Sequence, residues 1–90
     1  MPDPGLMHIT FKLYASLGQH LPPEHRTGNQ MPLSVAEGAT IADVIEPFAL
    51  PMKLVHLVLI NGHFVPPEAR ATRRLVEGDV LAIWPPIAGG

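Results

Sequence analysis

Two adjacent prolines, Pro85 and Pro86, follow directly on the apolar segment Val80 to Trp84 and stand before Ile87, Ala88, Gly89 and Gly90. Neither proline has a backbone N–H, and both fix φ near the polyproline value, so any sheet ladder has to end at Trp84. The folded body must therefore be complete upstream, and the chain must leave it extended. Six residues follow Trp84; at ~3.1 Å each they span ~19 Å, enough to enter a partner's buried site. Gly89 and Gly90 have no Cβ, so a narrow channel would admit them and let the backbone approach a nucleotide closely. Residues 85–90 read as a flexible tail whose reactive group is the α-carboxylate of Gly90. The plainer alternative is a frayed chain end.

Ninety residues make one domain with a single modest core. With no cysteine, the chain has no disulfide, no thiolate metal site and no thiol nucleophile, so any sulfur chemistry has to use imported sulfur. A formal charge of −2 with six Lys plus Arg argues against nucleic acid as main partner. The longest apolar run, Leu54 to Ile60, is interrupted by His56 and too short to span a bilayer. Met1 to Gly5 lacks the basic start and apolar stretch of a signal peptide, which points to a cytoplasmic protein.

Residues 1–6 read as a disordered leader and 7–84 as the domain. His8 to Tyr14 alternates, with Ile9, Phe11 and Leu13 on one face, the pattern of a half-buried strand. Residues 18–30 carry Gly18, Pro22, Pro23, Gly28 and Asn29 and read as a long loop. Met31, Leu33 and Val35 then form the inner face of a second strand, which Pro32 assigns to an edge or to an outward-pointing N–H position. Thr40 is a helix N-cap with Asp43 at N3, and Ile41, Val44, Ile45 and Phe48 fall on one helical stripe that Pro47 ends near Glu46. Leu54 to Ile60 reads as a central strand apolar on both faces. Asn61-Gly62 predicts a hairpin into His63-Phe64-Val65; a loop with Arg70, Arg73 and Arg74 follows, and Gly78-Asp79 turns into the last strand. A hairpin, a crossing helix and a return to the same sheet give an α+β roll, a mixed sheet of four to five strands with one main helix on one face.

Asn61-Gly62, Glu77-Gly78-Asp79-Val80 and Pro85-Pro86-Ile87-Ala88-Gly89-Gly90 together resemble the closing signature of the MoaD and ThiS sulfur-carrier proteins, which have the ubiquitin-like β-grasp fold. The resemblance covers Met7 to Gly90 in order of elements and is specific from about Val58 onward. The double proline is more like MoaD than ThiS. The resemblance implies that a MoeB/ThiF-like adenylating enzyme activates the Gly90 carboxylate with ATP and that a sulfur donor then displaces AMP. The resulting thiocarboxylate would deliver sulfur to an acceptor, which for MoaD is the MoaE-like large subunit of molybdopterin synthase. ATP belongs to the partner, and the chain itself would bind no cofactor. Carriers for thiamin, cysteine, tungsten cofactor or tRNA thiolation share this ending. Two departures stand out: MoaD-type proteins usually carry a helical segment after the first strand, where Leu21 to His25 reads here as loop, and Pro47 cuts the main helix.

The residues themselves offer little else. His8, His20, His25, His56 and His63 lack the spacing of metal ligands within one element, so no metal site is expected. No phosphate cradle or nucleophile elbow occurs, and no intrinsic catalytic residue is assigned. Arg73 and Arg74 are candidates for steering a partner's acidic surface, or they only solvate their loop. Val58, Ile60 and Trp84 are candidates for an apolar partner-binding patch on the sheet face away from the helix, unless the 18–30 loop covers them. The alternative to a carrier is a ubiquitin-like protein modifier or a non-catalytic interaction domain.

Overall fold

The computed structural model describes residues 5–86. Its centre is a five-stranded mixed sheet formed by β1 (Leu6–Leu13), β2 (Gln30–Ala36), β3 (Leu57–Ile60), β4 (His63–Phe64) and β5 (Val80–Trp84). The spatial order is β2-β1-β5-β3-β4. The first and last strands run parallel side by side, Leu13 against Ile83, and the other pairs are antiparallel. One short helix, α1 (Ile41–Ile45), crosses the sheet on one face and continues into a 3-10 turn at Glu46–Phe48. This is the β-grasp roll.

Each element follows from local chemistry. The alternation in β1 buries Met7, Ile9, Phe11 and Leu13 under the helix, where Phe11 meets Phe48 with ring centroids 4.6 Å apart. Pro32 lies on the outer edge strand β2, opposite Thr10. The bonds Glu37 N–H to Gly5 carbonyl and Leu13 N–H to Asn29 carbonyl fix the antiparallel phase, in which position 32 faces away from β1 and its missing donor costs no ladder bond. The capping box is complete: Asp43 N–H donates to Thr40 Oγ1 and Thr40 N–H donates to Asp43 Oδ2. Pro47 then confines the α-helix to five residues. Asn61 and Gly62 both take positive φ, 52° and 84°, as a two-residue hairpin turn of the I′ kind requires.

Three expectations need correction. Leu6, expected in the leader, is already the first residue of β1 and pairs with Ala36, and the Gly5 carbonyl accepts from Glu37 N–H; the rest of the expected leader, residues 1–4, lies outside the described residues. The stretch from 18 to 30 is not a featureless loop: a 3-10 turn at Ala15–His20 and another at Pro23–His25 order it. Leu17 and Leu21 form an apolar pair four apart that enters the core, and Pro22-Pro23 stops the turn before it can become a helix. A helical segment after the first strand is thus present in 3-10 form. Finally, β3 starts at Leu57 rather than Leu54. Met52–Leu54 is a 3-10 turn, and the carbonyls of Val55 and His56 are turned toward Arg70 Nη1 and Nη2 at 3.0 Å each.

Candidate functional site

The two ends of the sheet differ. At one end β5 finishes on Trp84, whose carbonyl accepts from His56 N–H at 3.2 Å, while the preceding Ile83 carbonyl accepts from Tyr14 N–H at 3.1 Å. The last strand is therefore gripped from both neighbours up to the residue before Pro85. Tyr14 leaves β1 in an extended conformation, and its ring lies flat on the indole of Trp84 at 3.9 Å and 9°. Pro85 and Pro86 follow as the last described residues. The tail assignment to Ile87, Ala88, Gly89 and Gly90, including the reactive carboxylate of Gly90, lies outside the described residues.

Alternation decides what each sheet face offers. Val58 and Ile60, pointed inward beside Ile83 and Leu81, are 0% and 2% exposed. They belong to the core under the helix and form no surface patch, which corrects their assignment as exposed partner contacts. The residues between them point the other way. Leu57 and Leu59, half-buried, share the open face with Ala82, Trp84 and Phe64 through the cross-strand pairs Leu57–Trp84, Leu59–Ala82 and Leu59–Phe64. Trp84 is 39% and Phe64 58% exposed. The apolar patch is real, but it is one residue out of phase with the expectation. A strand apolar on both faces gives no parity, whereas Phe64, two residues beyond the Asn61-Gly62 turn, would have supplied it.

The arginines separate in the same way. Arg70 is 9% exposed and caps three carbonyls, those of Val55, His56 and Val65. Burial lowers its pKa from the usual guanidinium value, and the nearby Glu68 carboxylate partly offsets this. It holds the loops before β3 and after β4 together, a role that nothing in the local sequence distinguishes from its neighbours. Arg73 and Arg74 are exposed. Their backbone docks on the start of α1, with Ile41 N–H donating to the Arg73 carbonyl and Arg74 bridging Thr40. That is the end of the sheet where β2 finishes and β5 begins, opposite the end from which Pro85 departs. The structure thus brings Trp84 and the prolines together and leaves Arg73 and Arg74 at the far pole.

A cavity of about 350 Å³ lies between β2 and α1, lined by Leu33, Val35, Val44, Pro47, Phe48 and Asp43 among others. Its carboxylate is committed to the capping box. Among the described residues no group of three or more His, Asp or Glu side chains gathers to hold a metal, and no helix is long and apolar enough to cross a membrane.

A parallel first and last strand with a helix crossing one face of the sheet define a ubiquitin-like β-grasp fold. The family model described as Mut7-C ubiquitin matches residues 6–88, and the chain belongs to that family. Among solved structures it is similar to the Haloferax volcanii HVO 2177 protein, with 23% identity and a TM-score of 0.70 over 100% of this chain and 92% of that one. It is also similar to small archaeal modifier protein 1 from Haloferax volcanii, with 22% identity and a TM-score of 0.64 over 92% of this chain and 99% of that one. A putative molybdopterin converting factor subunit 1 from Pyrococcus furiosus matches at 21% identity and a TM-score of 0.61, over 90% and 99%. These neighbours share the β-grasp fold, in line with the MoaD/ThiS-like ending of the sequence. No curated protein matches the chain.

Proposed function

We propose that this protein is a cytoplasmic sulfur carrier, acted on by a MoeB/ThiF-like adenylating enzyme at the carboxylate of Gly90. A carboxylate is a poor electrophile. Attack of its oxygen on the α-phosphorus of ATP, held by the partner, expels pyrophosphate and leaves an acyl adenylate; hydrosulfide released by a sulfur donor then adds to the acyl carbon through its sulfur and expels AMP. The product is a thiocarboxylate, the sulfur source for an acceptor such as a MoaE-like synthase subunit in molybdopterin formation or a related acceptor. Positioned groups for this chemistry belong to the partner. The outer sheet face, with Phe64, Leu59, Leu57 and Trp84, is the surface we assign to docking it.

The observation that carries this reading is the gripped end of β5: the sheet is hydrogen-bonded on both sides up to Trp84, and two prolines then force the chain out of it. A second reading, a ubiquitin-like modifier whose Gly90 carbonyl joins a protein amine, is supported by the likeness to small archaeal modifier protein 1. Intact-mass measurement separates them. After incubation with ATP, a cognate activating enzyme and a sulfur donor, a carrier gains the mass difference of one oxygen-to-sulfur exchange, while a modifier appears as an amide-linked adduct. Deleting Gly90, or adding one residue after it, should abolish activation and leave the melting temperature unchanged. Normal thiolation of either variant would refute the assignment of Gly90.

A further inference from the structure

The stack of Tyr14 on Trp84 is the feature that neither the fold nor the proposed chemistry requires. β1 and β5 run parallel, so the pairs Thr10–Val80 and Lys12–Ala82 continue to Tyr14 beside Trp84, on the sheet face away from the helix. Immediately after Tyr14 the chain reverses through Ala15 at φ 51°, so Tyr14 is the last residue of that edge able to cover the indole. The carbonyl of Trp84 is fixed by His56 N–H, which sets the plane of the Trp84–Pro85 peptide. From that plane the chain continues through two residues whose φ is locked. Three constraints, one on the ring, one on the carbonyl and one on the following φ angles, therefore act on one joint.

We infer that Tyr14 and Trp84 form a clasp that aims the chain as it leaves the sheet, making Tyr14 a positioning residue for the reaction at Gly90. This rests on the carrier reading for its purpose but not for its geometry. A segment delivered in a set direction loses less freedom when it enters a partner's channel, which appears as tighter productive binding. An aromatic pair is worth roughly a 2- to 12-fold change in an equilibrium constant beyond the area it buries, and that is the size of effect to look for.

The test uses Tyr14→Ala with Tyr14→Phe as the conservative control, since no hydrogen bond of the phenol is part of the argument. The chain has one Trp, one Tyr and no Cys, so near-UV circular dichroism reports the stack directly and labels can be attached at single introduced cysteines. In partner-dependent activation, Tyr14→Ala should raise KM roughly 2- to 12-fold with kcat retained, and Tyr14→Phe should restore the wild-type KM. In the free protein, the distance distribution between spin labels at Ser34→Cys and Ala88→Cys should broaden in Tyr14→Ala and stay as in wild type in Tyr14→Phe. Loss of the near-UV signal with unchanged KM and unchanged distribution would overturn the clasp and leave the carrier reading standing. If the wild-type protein is not activated at all, the carrier reading falls, and the label distances alone decide: broadening in Tyr14→Ala supports the clasp, and an unchanged distribution refutes it.

Discussion

Thr40 and Asp43 hold the start of the only α-helix among the described residues through two reciprocal hydrogen bonds, at 3.0 and 3.2 Å. Replacing Thr40 with Ala removes the acceptor for Asp43 N–H and should lower stability by about 1 kcal/mol in denaturant titrations. The Thr40 backbone N–H, then its side chain, hold the Asp43 carboxyl below the usual aspartate value of 3.8. A depressed folded-state pKa means that the unfolded chain takes up the proton first. The contribution is therefore complete above pH 3.8 and fades as the pH falls through the lower folded-state value. Asp43→Asn should remove this component, so the stability difference between wild type and Asp43→Asn should shrink on acidification below that range. A difference that holds constant there would exclude the carboxylate as its source.

At the scale of elements, the Asn61-Gly62 hairpin does more than reverse the chain. Asn61 Oδ1 accepts from Val80 N–H at 2.8 Å, and its Nδ2 donates to Asp79 Oδ1 at 2.9 Å, while Asp79 Oδ2 accepts from Val76 N–H. The turn thus stitches β3 to the first residue of the central strand β5, through an aspartate that is almost fully buried. Asn61→Gly keeps the positive φ but deletes the side chain; it leaves Asp79 short of a donor and should cost about 1–3 kcal/mol. A loss below about 0.5 kcal/mol would mean that water replaces the amide at no penalty. The turn itself was legible because positive φ at two successive residues demands Asn-Gly, just as the Thr40 cap, the alternation in β1 and the edge position of Pro32 were each written in a few neighbouring residues. What stayed hidden depends on partners far apart in the chain. The parity of Leu57 to Ile60, the burial of Arg70 by carbonyls from two other loops, and the meeting of Tyr14 with Trp84 are all set by tertiary register. The 3-10 turn at Ala15–His20 was missed for a related reason: Leu17 and Leu21 show too short an apolar period to register before the core that accepts them is known.

For the molecule as a whole, the distribution of surface features distinguishes two modes of partner recognition. The apolar residues Phe64, Leu59, Leu57 and Trp84 share the open sheet face, and Trp84 places that face next to the departing chain; Arg73 and Arg74 lie at the opposite pole beside the start of α1. On the carrier function proposed above, an activating enzyme reaching Gly90 would dock near the exit, so the desolvated centre of its interface should fall on the apolar face, where a few large side chains carry most of the energy. Because Phe64 is exposed on the two-residue strand β4, Phe64→Asp should change stability by no more than about 0.5 kcal/mol. It should nevertheless lower kcat/KM for partner-dependent activation by about 30-fold or more, the size of a hot-spot loss. The double variant Arg73→Ala with Arg74→Ala should have a smaller effect, expressed in association rate and diminished by added salt, as expected of charges outside the contact. Activation kinetics of the two variants at low and high salt decide the matter. If the arginine variant loses more than Phe64→Asp, and does so independently of salt, the partner approaches from the helix end and the open sheet face is not its docking surface.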